Sequence, residues 1–339
     1  MKKIVSLLLA LILMTTICVV VVGCGGTAVS EEGSADEKAA FAGDGTQEYH
    51  MVTFVSGIEY WKGCFEGFEQ AAKQLGVKAH YAGTTEYEVT AAVTEFEQVV
   101  AKNPAGIAVT VMNADAYTDA INSAIDAGIP IVTFDADSPN SDRYCFLATG
   151  NAAAGAAAAA ELAGFMGHEG KIGIVSCPGQ SNHEERLAGF QSYMDNNEPN
   201  IEIVQVVNGE SDEAISASVT AAMLQANPDI TGIFTTAEAS AIAIVSSLEE
   251  AGMSDKVKVM GFDKSDAILN AIDTGKMQGT VSQNTFHMGY WSMMMLYALK
   301  NDLLQENWQE NGWTPLPGYV DTGVTIITKE NLASYYKPE

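Results

Sequence analysis

The sequence predicts an α/β protein made of two doubly wound parallel-sheet lobes. Three observations carry this: short apolar strands alternate with amphipathic helices from His50 onward, the connections are short, and the rhythm restarts midway in a second unit of similar size. A chain of 339 residues is long enough to bury two separate cores.

The first unit opens with a strand over residues 51–56 and a helix over 61–75, where Phe65, Phe68, Ala72 and Leu75 share one face. A strand over 77–82 and a helix over 88–102 follow, the helix burying Val89, Val93, Phe96 and Val100. Strand 106–111 leads into helix 115–127, closed by Gly128, and strand 130–134 ends the unit. Asn151 then caps an Ala-rich helix to residue 166, whose small side chains permit close helix packing. Strand 171–176, helix 184–196, strand 201–207, helix 212–226, strand 230–235, helix 239–251, strand 257–262, helix 265–273 and strand 277–282 continue the alternation. Helix 286–300 and a single strand over 318–328 come last.

Ahead of this lies an export signal. Lys2 and Lys3 precede an apolar run from Ile4 to Val22, and Gly23 stands just before Cys24. A cysteine at that point resembles a bacterial lipoprotein signal, in which Cys24 carries the lipid; a plain membrane anchor is the alternative. Residues 25–48 are rich in Gly, Ser, Ala and Glu and read as a flexible tether.

Formal net charge is −26. Removing residues 1–23 leaves 15 cationic against 43 acidic side chains, or −28, which repels nucleic acid and anionic lipid headgroups. Cys64, Cys145 and Cys177 form an odd, widely spaced set and imply buried thiols, not a disulfide framework. The five histidines, at 50, 80, 168, 183 and 287, show no metal-ligand spacing, so no metal or cofactor is expected. A phosphate loop, a nucleophile elbow and a zinc-protease motif are all missing from the sequence, which argues against catalysis.

Ligands of open parallel sheets bind beyond the carboxyl ends of the strands. Those positions here hold Ser56, Tyr60 and Trp61, then Asp135, Asp137 and Arg143, then Asn182 and Glu184, then Glu238, Asp263 and Gln283. Aromatic faces with many carboxylates and amides suit carbohydrates, whose C–H surfaces and hydroxyls need both. Each has a structural alternative: a core residue at a helix start for Trp61, helix-start acids for Glu184 and Glu238, and a pair with Asp137 or Asp142 for Arg143. Arg186 reads as a support of its loop and not as a ligand contact.

From about His50 to Tyr336 the chain resembles the ribose/galactose-type sugar-binding proteins of bacterial ABC importers. The resemblance rests on Val55-Ser56 with Tyr60-Trp61, on Gly128-Ile129-Pro130-Ile131-Val132-Thr133-Phe134-Asp135, on Glu185-Arg186-Leu187-Ala188-Gly189-Phe190 after Gly179, on Gly261-Phe262-Asp263, on Gly275 through Gln283, and on Val320-Asp321-Thr322-Gly323-Val324. It implies a type I periplasmic-binding-protein-like fold, its two lobes joined by three hinge strands and closing on one sugar. The first lobe would hold residues 49–148 and 284–318, the second 149–283 and 319–339. Tyr60 and Trp61 fall at the family's stacking aromatics, and Asp135, Asp263 and Gln283 at its hydroxyl-binding positions. Ala136 stands where ribose binders place an arginine, Glu184 where a second is expected, and Ala237-Glu238 replaces an Asn-Asp pair. Arg143 and Arg186 are the only arginines, which argues against anionic ligands. A neutral sugar, a polyol or an amine-bearing ligand remains.

The implied role is that of a monomeric capture lipoprotein outside the cytoplasm, serving an ABC transporter permease. A receptor for a membrane histidine kinase or chemoreceptor is the alternative. A repressor of the same fold would carry a helix-turn-helix where this chain carries an export signal.

Overall fold

The computed structural model describes residues 43–337 except 306, 309, 313 and 314. The export signal, Cys24 and the tether up to residue 42 lie outside the described residues. Residues 43–48, expected in the tether, are held down: the Gly43 N–H donates to Leu75 O at 2.6 Å, and the Gln47 amide bonds Asn301 at 2.8 Å.

The first half runs β1 (Glu48–Thr53), α1 (Glu59–Leu75), β2 (Lys78–Gly83), α2 (Val89–Val100), β3 (Gly106–Val109), α3 (Ala114–Asp126), β4 (Ile131–Phe134) and β5 (Phe146–Ala148). The second runs α4 (Asn151–Met166), β6 (Gly170–Ser176), α5 (Ser181–Asn197), β7 (Ile201–Asn208), α6 (Glu213–Ala226), β8 (Gly232–Thr235), α7 (Glu238–Glu250), β9 (Lys258–Phe262), α8 (Asp266–Asp273) and β10 (Gly279–Gln283). The chain then adds α9 (Thr285–Lys300), β11 (Tyr319–Asp321) and β12 (Val324–Thr328). Side-chain caps fix several helix starts: Glu88, Asn113 and Asp212 accept backbone N–H groups at the heads of α2, α3 and α6.

Two six-stranded sheets share one plan. The first is ordered β11-β5-β4-β3-β1-β2 and the second β12-β10-β9-β8-β6-β7, parallel except for the antiparallel pair β10/β12. Each sheet is covered on both faces, so the central strands β3, β4, β8 and β9 are almost wholly buried. The edge strands β2 and β7 instead carry partly exposed polar residues such as Lys78, His80, Glu202 and Gln205. Phe68, Leu147, Met288 and Leu296 fill one side of the first sheet, and Phe96, Ile107, Tyr117 and Ile131 the other. Phe190, Phe234 and Phe262 lie on one side of the second, and Ile233, Ile244, Val259 and Ile268 on the other.

Each lobe also contains one helix pair packed backbone to backbone. A Cβ at Gly289 of α9 would sit 1.7 Å from Cys64 O in α1, and one at Gly67 would sit 2.0 Å from Phe286 O. In the second lobe, Cβ atoms at Gly155 and Gly189 would meet backbone oxygens across the α4–α5 contact at 1.9 Å. Only glycine permits that approach. Cys64, Cys145 and Cys177 are buried free thiols.

Two expectations about the chain's end fail. Residues 318–328 are two strands in different sheets, because the chain crosses at Thr322–Gly323 and the φ of +75° at Gly323 breaks the run. Tyr319–Asp321, placed by the sequence in the second lobe, therefore pairs with β5 in the first sheet. The three-residue strand β5 was not foreseen.

The three crossings are laced together. Asp321 Oδ1 accepts the N–H groups of Gly150 and Gly323, both at 2.8 Å. Asn284 Nδ2 donates to Thr322 O at 3.2 Å, and Thr149 Oγ1 donates to Gln283 Oε1 at 2.8 Å. Every crossing thus touches the other two.

Candidate functional site

At the carboxyl ends of the strands, facing the seam, lies a cavity of about 850 Å³ with walls from both lobes. Phe54, Tyr87, Asp135 and Phe146 contribute from the first lobe; Asn151, Gln180, Asn182 and Glu185 from the second; Thr149 and Tyr319 beside the crossings.

Two aspartates are presented in the same way. Asp135 follows β4 and Asp263 follows β9, each after a phenylalanine, with left-handed φ values of +62° and +63°. Aspartate tolerates this region better than most residues. Each backbone N–H still continues the sheet, Asp135 to Leu147 O at 3.0 Å and Asp263 to Val281 O at 2.7 Å. The strand ends are held while the carboxyls turn off the sheet. Tyr60 Oη donates to Asp135 Oδ1 at 2.7 Å, and Gln283 Nε2 donates to Asp263 Oδ1 at 2.7 Å. Gln283 in turn accepts from Thr149, so one hydrogen-bonded chain runs from Asp263 into the seam.

Burial pushes both carboxyls above the usual aspartate range. For Asp135 the Tyr60 hydroxyl and the Arg186 guanidinium pull the other way, while Asp263 adds a smaller push upward. For Asp263 the opposing groups are Arg186 and the Gln283 amide. Burial likewise raises the Tyr60 phenol, assisted by Asp135 and Asp263. Glu238, at the head of α7, is raised by loss of hydration and then by Asp263.

Arg186, read from sequence as a loop support, is the central cation of this group. It is 2% exposed. Its partners are neutral: Nε donates to Asn151 Oδ1 at 2.9 Å, Nη1 donates to Thr236 O at 2.9 Å, and Cζ lies 3.8 Å from the centre of the Phe262 ring. Thr236 also binds His183 Nδ1 at 2.9 Å, and burial pushes that imidazole down to about 4.

Other sequence candidates have different tasks. Trp61 is 4% exposed, edge-on to Phe134, Phe54 and Tyr60, with ring centres 5.9, 5.5 and 4.8 Å away. It is a core residue and presents no open face, so the expected stacking role is corrected. Two exposed aromatics line the cavity, Tyr319 and the more accessible Tyr87, which is 73% exposed and edge-on to Phe54 at 5.6 Å. The signal for Tyr87 was available: one aromatic in the polar stretch Thr84-Thr85-Glu86-Tyr87-Glu88, beyond the end of a parallel strand.

Asp137 and Arg143 satisfy each other through a two-pronged contact of 2.8 and 2.6 Å. Thr133 completes Asp137 and Gly318 O completes Arg143, so this pair braces the approach to the seam and is not a free ligand set. Ser56 Oγ donates to Thr84 O at 2.8 Å and ties the β1–α1 loop to the end of β2. Glu184 Oε1 accepts the Gly179 N–H at 2.8 Å, the helix-start role that was its alternative. Asn182 lines the cavity.

A family model described as periplasmic binding protein domain matches residues 49–302. The chain belongs to the periplasmic binding protein family. The arabinose-binding protein AraP from Geobacillus stearothermophilus is 38% identical, with a TM-score of 0.82 over 86% of this chain and 99% of its own. The D-allose-binding periplasmic protein of Escherichia coli is 26% identical over 74% of this chain and 83% of that one. A solved XylFII–LytSN complex contains a chain 25% identical, with a TM-score of 0.68 over 84% of this chain and 99% of that chain. Periplasmic binding proteins of this sugar-related group are solute-binding proteins and not enzymes, and they work outside the cytoplasm.

Proposed function

We propose that this protein captures one neutral monosaccharide or polyol between its lobes and delivers it, as a monomer, to an ABC importer, held at the membrane through lipid on Cys24. The supporting observation is the convergence of Asp135, Asp263 and Arg186, with Tyr60 and Gln283 orienting the carboxyls. Two carboxylates accept hydroxyl protons while the guanidinium donates to ring or hydroxyl oxygens, a set that matches vicinal hydroxyls. A carboxylated or phosphorylated ligand would face the raised, mutually repelling acids. Rotation about the laced seam would couple occupancy to lobe closure, driven by the ligand's better contacts in the closed form.

A melting-temperature panel of pentoses, hexoses, polyols and amino sugars tests this, with arabinose first because AraP is an arabinose-binding protein. The cognate ligand at ~100 times its Kd adds about 2.7 kcal/mol of stability. A panel that leaves the melting curve unmoved refutes the reading.

Tyr87→Ala should weaken that ligand by about tenfold at most, since an aromatic face adds ~0.5–1.5 kcal/mol beyond its buried area. The stability of the free protein should change by less than ~0.5 kcal/mol, because the ring is exposed. Titration calorimetry with matched urea melts separates the two; unchanged affinity would remove Tyr87 from the site.

A second reading, a receptor that reports occupancy to a partner protein, is favoured by the similar chain in the solved XylFII–LytSN complex. Binding of the sugar-loaded protein to a permease from its own gene neighbourhood, compared with a neighbouring membrane receptor, discriminates them.

A further inference from the structure

The spacing of the histidines in sequence gives no sign of a metal site, but the pairing of β1 with β2 changes that. Strand alternation places Glu48 and His50 on one face of β1, and the parallel register sets His80 of β2 opposite His50. The two imidazoles stack with ring centres 4.8 Å apart at 26°. His50 is 6% exposed, and its Nδ1 is buried without a hydrogen-bond partner; His80 Nε2 is in the same condition. Glu48 Oε2 stands 3.5 Å from His80 Nε2, and one ligand atom from each of the three residues lies within 4.8 Å of the other two.

Leaving a buried polar nitrogen unpaired costs about 1–3 kcal/mol, and here two such nitrogens stand beside a carboxylate. Ring stacking and the Glu48–His80 contact hold the three side chains together but leave both nitrogens without a hydrogen bond. We propose that Glu48, His50 and His80 form a binding site for a divalent transition metal of the zinc class, separate from the cleft. Two imidazoles and one carboxylate suit zinc, copper or nickel, whereas calcium and magnesium prefer all-oxygen sets. Metal–ligand bonds of roughly 2.0–2.2 Å require the three atoms to draw closer together. Glu48 and His80, both partly exposed, can supply that movement by side-chain rotation while buried His50 stays fixed. Lys78 Nζ holds Glu48 Oε1 at 2.9 Å, which orients the carboxylate and leaves Oε2 to the metal. Lys78, and Lys102 whose charge also reaches His50, temper the affinity. The bound ion would clamp edge strand β2 to β1, a restraint on the open edge of the first sheet.

Cobalt titration of tag-free protein reads the site directly. The expected result is one tetrahedral Co²⁺ per chain, seen by its visible d–d absorption, displaced by Zn²⁺, with Zn²⁺ raising the melting temperature. Glu48→Gln and His80→Gln should each weaken Co²⁺ by at least tenfold while melting like wild type in EDTA, which shows that they fold. His168→Gln, which removes the separate contact between His168 and Glu198, should leave the band unchanged. Absence of the band in wild type, its persistence at undiminished affinity in both strand variants, or its loss in His168→Gln would each overturn the assignment. Because no sugar enters the measurement, its failure is independent of the capture function.

Discussion

Trp61→Ala should destabilise the protein by about 3–5 kcal/mol, the range for removing a fully packed tryptophan. The indole is 4% exposed and wedged among Phe54, Tyr60 and Phe134, so its removal leaves a void that the surrounding rings cannot fill without tilting. A urea melt should show the midpoint moving down with the slope nearly unchanged. Trp61→Phe should lose much less, because it keeps most of the ring and removes an indole N–H that is buried without a partner. Sugar affinity of the folded fraction should fall as well, through Tyr60: Trp61 packs 4.8 Å from that ring and so supports the hydroxyl that bonds Asp135. The opposite pattern, wild-type stability with lost affinity, would restore Trp61 as an open stacking face and contradict its burial.

The different fates of Trp61, Asp137 and Arg186 show what a sequence exposes and what it hides. Periodicity fixes which residues face a core, so the alternation of strands and helices and the two-lobed class are legible throughout. Strand ends are legible for the same reason, and Asp135, Asp263 and Gln283 were found there. Pairing is not. β5 is three residues long, too short for a period, and the crossing at Thr322–Gly323 interrupts an apolar run whose two halves join different sheets. Asp137 and Arg143 are six residues apart, and only the fold of the loop decides that they neutralise each other before any ligand arrives. Arg186 looked like a loop support because its partners Asn151, Thr236 and Phe262 come from three separate elements. The same limit concealed His50 and His80, which only strand register brings together.

Arg186→Leu should be destabilising near pH 7 by about 1–3 kcal/mol for the buried Asn151 and Thr236 acceptors it leaves unpaired, with a further cost from two buried carboxyls that lose a cation offsetting their burial. Arg186 is the cation that opposes the upward shift of both Asp135 and Asp263, so without it each carboxyl rises further. The sign follows from linkage. A carboxyl whose folded value lies above its unfolded value weakens the fold at high pH, and that penalty is relieved as pH falls through the folded value and the group takes up a proton. The gap between variant and wild type should therefore be widest at neutral pH and should shrink toward pH 4. His183 works in the other direction in both proteins: its folded value near 4, against an ordinary 6.5, removes stability as pH falls across that window. Arg186 contributes to that depression, so its loss lifts the imidazole back toward 6.5 and narrows the gap at low pH further. Paired thermal melts from pH 8 to pH 4 would measure the convergence. A constant offset at every pH would mean that Arg186 acts only through its bonds to Asn151 and Thr236, and that the cleft acids do not depend on its charge.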